Sequence, residues 1–186
     1  LTALCDVNSG SDDYDMLYQF PGSSSAGLSH ALRRAVVFSG DMGRPLSRDG
    51  VFCCGDFREL LMRPDVDAVC VCTPDHWHGL VSIAAAAAGK DIYCEKPLVN
   101  SIAEGRALCR AVNRHGRILQ TGSHERSNDS VRFAWELVQN GRIGRLKEII
   151  VQMPCRDPHH LKMLGKENPI RDLCAPGYLD YDLWLG

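Results

Sequence analysis

The sequence lacks a long hydrophobic run, an excess of basic charge and any internal repeat. Its longest largely apolar run, residues 80–88, is far shorter than the ~20 residues that span a bilayer. The formal net charge is −2, which gives no basic footprint for nucleic acid. No segment recurs with the period of a solenoid or propeller. With 45% hydrophobic and 24% charged residues, the composition is instead typical of a soluble globular protein.

The sequence also lacks an initiating methionine and an even number of cysteines. It runs from Leu1 to Gly186 and ends within an unfinished element, so we expect a fragment in which an N-terminal targeting signal would not be visible. Several of the nine cysteines lie in apolar runs, which favours buried, reduced thiols over a disulfide framework (Cys70, Cys72, Cys94). We expect a cytoplasmic protein, and an exported form stays open.

Short apolar runs alternate with amphipathic helical patterns along the chain. The predicted strands are residues 1–6, 51–54, 66–72, 91–94, 117–122 and 146–153, and the predicted helices are residues 28–38, 56–63, 77–88, 101–116 and 129–141. Capping-box pairs open two helices (Asp56/Glu59, Ser101/Glu104), Asp129 is predicted to cap a third, and glycines end three (Gly89, Gly116, Gly141). Consecutive strand–helix units predict a doubly wound parallel α/β sheet, because parallel neighbours need a crossover helix.

Three regions carry more specific expectations. The largely apolar run at residues 66–72, interrupted by Asp67, predicts a strand buried on both faces of the sheet. The helix at residues 129–141 should turn Phe133, Ala134, Leu137 and Val138 inward. Residues 9–50 hold acidic and Ser/Gly-rich stretches around one helix, so we expect an irregular insertion there and assign it no functional residue.

Polar side chains follow two predicted strands at the point where each ends. Thr73-Pro74 follows the strand at residues 66–72, and Glu95-Lys96-Pro97 follows the strand at residues 91–94. Proline cannot continue a strand ladder and fixes the backbone of each turn. Ligands of open parallel sheets bind at this carboxyl edge. A lysine there is a candidate acid or base.

These turns and their separation resemble those of the Gfo/Idh/MocA family, which contains glucose-fructose oxidoreductase and inositol dehydrogenase. The chain carries Thr73-Pro74-Asp75-His76-Trp77-His78, Glu95-Lys96-Pro97 and Leu119-Gln120-Thr121-Gly122-Ser123, and the similarity is specific over residues 56–154. The resemblance implies a Rossmann-type dinucleotide-binding domain at residues 1–145 that lacks its first strand. It implies that residues 146–186 begin a second, α+β domain for substrate binding and homo-oligomerisation.

The resemblance also implies roles for individual residues. Lys96 would take the proton of the substrate hydroxyl as the catalytic residue, with Glu95 and Pro97 fixing it beside the cofactor. Thr73, Pro74 and Gln120 would line the nicotinamide side of the cleft.

Two further positions have two interpretations each, and a third departs from the family pattern. His78 either contacts cofactor or substrate or caps its helix. Arg126 either binds a sugar or carboxylate or lies in a solvated loop. Asp75 replaces the commoner Asn of the family turn, which puts an amide-dependent contact in doubt.

Asp6 ends the first predicted strand. An acidic residue there accepts hydrogen bonds from the adenosine ribose and repels a 2′-phosphate. It could equally start a turn with Asn8, Ser9 and Gly10, and the family resemblance favours the ribose interpretation. The expected cofactor is therefore NAD, with NADP less favoured.

The function implied is an NAD(P)-dependent oxidoreductase that transfers hydride between a nicotinamide and a sugar, cyclitol or related polyol. One alternative is a glycoside hydrolase that uses the same cofactor for transient oxidation and elimination. Another is a non-catalytic sensor, against which the intact Glu95-Lys96-Pro97 turn argues. A third is a metal-dependent hydrolase in which His76 and His78 join Cys155, Asp157, His159 or His160. Because these candidates are scattered along the chain, we expect no resident metal.

Overall fold

The computed structural model describes residues 1–11, 26–152 and 175–186 of the protein. These residues form two compact units, one of residues 1–122 with 175–186 and one described over residues 123–152. The strands are β1 (Ala3–Cys5), β2 (Phe52–Cys54), β3 (Ala68–Val71), β4 (Asp91–Glu95) and β5 (Leu119–Gly122). The α-helices are α1 (Leu28–Asp41), α2 (Phe57–Leu61), α3 (His78–Ala87), α4 (Ile102–His115), α5 (Asp129–Gln139) and α6 (Tyr181–Leu185). None of these helices has the length and hydropathy needed to cross a membrane.

All five strands pair in parallel. β1 pairs with β2, with Cys5 opposite Cys54, and a second sheet has the order β3-β4-β5. In the doubly wound order 3-2-1-4-5-6, β2 and β1 take positions 3 and 2, and β3, β4 and β5 take positions 4, 5 and 6. The direction of winding reverses between these two groups. No described residue fills the position between β1 and β3. The predicted Rossmann-type fold is confirmed.

The core lies between the β3-β4-β5 sheet and the helices that connect its strands. Buried side chains from α2, α3, β3 and β4 form one cluster (Leu61, Val71, Val81, Ala85, Ala86, Ile92, Cys94). The small alanines of α3 let its backbone approach the sheet, and Ala85 and Ala86 are fully buried. α4 packs against α3, and a side chain at Gly79 would collide with Glu104. This packing fixes the first turn of α3, which holds His78.

The helix-start predictions are confirmed at two places and wrong at a third. Asp56 Oδ1 accepts a hydrogen bond from the Arg58 backbone N–H (2.9 Å), and Ser101 Oγ accepts one from Glu104 (3.2 Å). α5 begins differently, because Asn128 is its N-cap and Asp129 its first helical residue. The Asn128 Oδ1 accepts from the backbone N–H of Ser130 at 3.0 Å. Both residue types cap helices well.

The expectation that β3 is buried on both faces is wrong for the residues that the structure describes. Val71 is buried, whereas Ala68 and Cys70 are exposed, and so is Cys72 just after the strand. The described helices cover one face of the β3-β4-β5 sheet, so side chains that point to the other face remain accessible. Of the three cysteines predicted to be buried, Cys94 is buried, whereas Cys70 and Cys72 are exposed. All seven described cysteines are free, and Cys54 is buried as well.

Two predictions fail in the second unit for lack of a packing partner. Phe133 and Val138 of α5 are 63% and 41% exposed, and Ala134 is exposed too, because no described residue covers them. Residues 146–152 form no strand, since a strand needs a hydrogen-bonded neighbour and none is described there. Met153 lies outside the described residues. The domain boundary predicted after residue 145 stays a prediction.

The expected insertion at residues 9–50 is described in part. α1 extends the predicted helix to Asp41, and its Leu28, Leu32, Ala35 and Val36 are half-buried as one side of the helix. Residues 12–25 lie outside the described part of the chain.

Candidate cofactor and catalytic site

The polar turns after β3 and β4 lie side by side at the carboxyl edge of the sheet. The strand register places Val71 opposite Cys94 and Glu95 opposite Gly122, so the three strands end at nearly the same level. Thr73-Pro74 therefore lies beside Lys96-Pro97, as the sequence predicts. The Lys96–Pro97 peptide bond is cis.

His78 joins these two turns through its imidazole ring. Its Nε2 lies 2.8 Å from the Thr73 carbonyl oxygen, and its Nδ1 lies 2.6 Å from the Pro97 carbonyl oxygen. A neutral ring donates one of these hydrogen bonds, and a protonated ring donates both. His78 is 2% exposed. With both nitrogens facing backbone carbonyls, the ring ties the two turns together, and its contact with cofactor or substrate stays a prediction.

Lys96 is exposed at the tip of the turn after β4. Its backbone N–H donates to the Glu95 Oε2 at 3.3 Å. Within the described part of the chain, no ion pair engages its ammonium group, so a Glu95–Lys96 salt bridge is not formed. The Lys96 side chain is thus free to meet a substrate, while its backbone is held from both sides by Glu95 and by the His78 contact to Pro97.

Gly122 makes room for the Glu95 carboxylate. A Cβ atom at Gly122 would lie only 2.8–2.9 Å from the three carboxyl atoms of Glu95, which is too close for a real side chain. Sequence reasoning missed this role, although a glycine at a strand end is a recognised signal of close approach. Gly122 therefore belongs to the set of residues that position the lysine turn.

Thr73 offers an unpaired polar atom at the same edge. Its Oγ1 is buried and has no hydrogen-bond partner among the described residues. Burying a hydroxyl without a partner is costly, so each such atom calls for an explanation. A ligand in the crevice would supply the missing partner, as predicted for a residue on the nicotinamide side.

Asp6 lies immediately after β1, as predicted. Its Oδ1 accepts a hydrogen bond from the Asn8 backbone N–H at 2.9 Å, so the turn interpretation is realised in the structure. Burial raises the pKa of Asp6, partly offset by that hydrogen bond. The second carboxylate oxygen remains available, so the turn does not remove the ribose-binding role, which stays a prediction.

The other predicted contacts are more peripheral. Pro74 and Pro97 are exposed turn residues. Gln120 is exposed on β5, and its Nε2 donates to the Thr121 carbonyl at 2.9 Å. Arg126 is exposed in a short 3₁₀ helix of the second unit. The roles of Gln120 and Arg126 stay predictions.

The geometry does not favour the metal-hydrolase alternative. His78 uses both ring nitrogens for backbone carbonyls, and the Nε2 of His76 lies 2.8 Å from the Trp184 carbonyl oxygen. No group of three His, Cys, Asp or Glu side chains among the described residues could hold a metal ion. Cys155, Asp157, His159 and His160 lie outside those residues.

The residues present fit a nicotinamide dinucleotide at both ends of the crevice. The Asp6 carboxylate ends β1, and the orphaned Thr73 hydroxyl ends β3 beside the lysine turn. The described residues contain no glycine-rich turn that would hold a pyrophosphate. A parallel sheet wound in this order, with these groups at its carboxyl edge, defines a dinucleotide-binding α/β protein.

The chain belongs to the oxidoreductase family with an NAD-binding Rossmann fold, Gfo/Idh/MocA, whose model matches residues 30–123. It is 36% identical over 103 residues to myo-inositol 2-dehydrogenase of Thermotoga maritima, covering 55% of this chain and 30% of that protein. It is 36% identical over 91 residues to levoglucosan dehydrogenase of Pseudarthrobacter phenanthrenivorans, covering 49% and 23%. The crystal structure of a probable dehydrogenase from Thermotoga maritima superposes with a TM-score of 0.52 at 28% identity, over 77% of this chain and 34% of that one. The chain thus spans about a third or less of the length of these relatives.

Proposed function

We propose that the protein is an NAD-dependent dehydrogenase that oxidises a CH–OH group of a sugar, cyclitol or related polyol. The observation that carries this proposal is the exposed Lys96 on a turn that His78 ties to the Thr73 turn. The names of the two curated relatives support the substrate class, since one is an inositol dehydrogenase and the other a dehydrogenase of an anhydrosugar.

Each residue of the site has a defined task in this reaction. A bound nicotinamide cofactor supplies the hydride chemistry. Lys96 receives the proton of the substrate hydroxyl. Glu95 and His78 hold the backbone of the lysine turn, so the amine is presented at a fixed place. Asp6 binds the adenosine ribose hydroxyls, and its charge opposes a 2′-phosphate.

We keep the remaining predictions as part of the proposal. Gln120 edges the nicotinamide, and Arg126 contacts a hydroxyl or carboxylate of the substrate. The protein assembles as a homo-oligomer through its second domain and works in the cytoplasm.

Net cofactor reduction tests the proposal. The full-length protein is incubated with NAD and a panel of cyclitols, sugars and aryl glycosides, and reduced cofactor and released aglycone are both measured. A dehydrogenase accumulates reduced cofactor with an inositol or a sugar. Release of aglycone without reduced cofactor would identify the redox-neutral hydrolase. The absence of both products would contradict the proposal.

Cofactor choice is measured in the same assay. The wild-type protein should use NAD with higher kcat/KM than NADP, and Asp6→Ala should narrow that difference. Equal use of both cofactors, unchanged in Asp6→Ala, would remove Asp6 from the ribose site.

A further inference from the structure

Residues Tyr178–Gly186, which we call the bridging segment, join the first compact unit although they follow β5 by more than 50 residues in sequence. The segment contains α6 and lies outside residues 30–123, where the family model matches.

One end of the bridging segment is tied to the loop after β1. The Asp180 backbone N–H donates to the Val7 carbonyl at 2.9 Å, and the Ser9 N–H donates to the Tyr178 carbonyl at 2.8 Å. Leu179 forms an antiparallel bridge with Asn8, which is buried. These contacts begin one residue after Asp6, the predicted ribose ligand.

The other end is tied to the turn after β3. The Trp184 carbonyl oxygen accepts a hydrogen bond from the Trp77 Nε1 at 2.9 Å, and the His76 Nε2 faces the same oxygen at 2.8 Å. The Trp184 ring meets the His76 ring edge-on, with centroids 5.5 Å apart. This turn follows Thr73 and Pro74 directly.

The bridging segment therefore spans the place where the winding of the sheet reverses. Dinucleotides bind across the crevice between the two strand ends that flank this reversal, here those of β1 and β3. Asp180 and Trp184 are four helical residues apart, or about 6 Å along the axis of α6. The segment thus crosses from the loop after β1 to the turn after β3, over the place where we expect the dinucleotide.

We propose that the bridging segment forms the outer wall of the adenosine half of the cofactor site, with Trp184 and Tyr181 as the aromatic surface that the adenine base packs against. The two rings are stacked, with centroids 5.9 Å apart and an interplanar angle of 17°. They stay 37% and 46% exposed, so they have free aromatic surface beside the crevice. Nucleobases stack on such surfaces because every base has a π-face. This inference rests on the proposed function, which supplies the dinucleotide.

The backbone of the segment is fixed independently of its rings. Asp180 caps α6, since its Oδ1 accepts from the Leu183 N–H at 3.0 Å. The contact from Trp77 is made to a backbone carbonyl, which a substitution at Trp184 retains. Trp184→Ala and Tyr181→Ala therefore remove aromatic surface, including the contact between the Trp184 and His76 rings, and leave the backbone hydrogen bonds to both loops in place.

The test measures binding rather than activity. Calorimetry gives the Kd of the full-length protein for NAD, ADP-ribose and nicotinamide mononucleotide, with Phe38→Ala as a control at an exposed aromatic residue of α1. Trp184→Ala and Tyr181→Ala should each weaken ADP-ribose and NAD by about fivefold or more. Nicotinamide mononucleotide should bind as before, and Trp184→Phe should restore most of the affinity for ADP-ribose.

The outcomes separate this inference from the proposed function. Unchanged ADP-ribose affinity in both alanine variants would contradict the inference, and tighter binding would show that the segment occupies the crevice instead of lining it. In both of these cases the wild-type protein still binds NAD, so the proposed function stands. A wild-type protein that binds neither NAD nor ADP-ribose would contradict both.

Discussion

Asp6 shows how a single residue reflects the demands of a binding site. Its carboxylate is partly buried after β1, and burial raises its pKa. A raised pKa in the folded state means that folding disfavours the charged form, so the carboxylate destabilises the fold at neutral pH. A residue kept in such a place is more readily explained by a ligand than by stability.

Asp6→Asn should therefore make the protein more stable at neutral pH. The side-chain oxygen at position 6 can still accept the hydrogen bond from the Asn8 N–H, and the buried charge is removed. The advantage should vanish at pH values below the unfolded pKa of about 3.9, where Asp6 is protonated in both states. It should grow as the pH rises from that value to the raised folded pKa, and level off above it. Denaturant unfolding of both proteins across this range measures it. A variant less stable than wild type at neutral pH would contradict the account.

Gly122 gives a second prediction at the scale of one residue. Gly122→Ala should place a methyl group against the Glu95 carboxylate. Because that carboxylate is the end of a flexible, half-buried side chain that can shift, the free energy of unfolding should fall by only about 1 kcal/mol. Gly55→Ala is the matched control, because a Cβ there meets nothing within 4 Å. If the two side chains collide, adding Glu95→Ala to Gly122→Ala should restore most of the lost free energy of unfolding. Additive changes in that free energy would show that they do not collide.

At the scale of elements, local patterns predict the strands and helices but not what covers them. Glycines were predicted to end three helices, and Gly89, Gly116 and Gly141 each adopt the positive φ that ends a helix. The exposed face of β3 could not be predicted, because an apolar run does not reveal whether a second layer is present. The start of α5 was misassigned to Asp129, since adjacent Asn and Asp are equally good caps and a single hydrogen bond decides between them.

The candidate site, like the strands and helices, could be predicted from the sequence only in part. Its strand-end residues could be predicted, because parallel strands bring their carboxyl ends to one edge. The double contact of His78, the collision at Gly122 and the bridging segment could not, since each depends on residues distant in sequence. His78, for which the sequence left two interpretations open, ties two turns together through contacts that neither interpretation includes.

At the scale of the whole molecule, the first unit holds the residues that we propose for the adenosine and nicotinamide ends of a cofactor crevice. Asp6 lies at one end, Lys96 with Thr73 at the other, and residues 178–186 span the reversal between them. Among the residues that the structure describes, Lys96 is the group that we propose for proton transfer at the nicotinamide end. Its backbone is held by Glu95 and, through Pro97, by His78, which has no free ring nitrogen to take the proton itself.

The most direct test compares Lys96→Met with His78→Ala in the full-length protein, measuring turnover and the NAD dissociation constant for each. Lys96→Met should lower kcat at least about a hundredfold, the contribution expected of a general base, and leave the Kd for NAD nearly unchanged. His78→Ala should reduce turnover less, because it loosens the lysine turn without removing the amine. If Lys96→Met kept its turnover and His78→Ala lost it, proton transfer would belong to His78, and Lys96 would be only a structural residue of the turn.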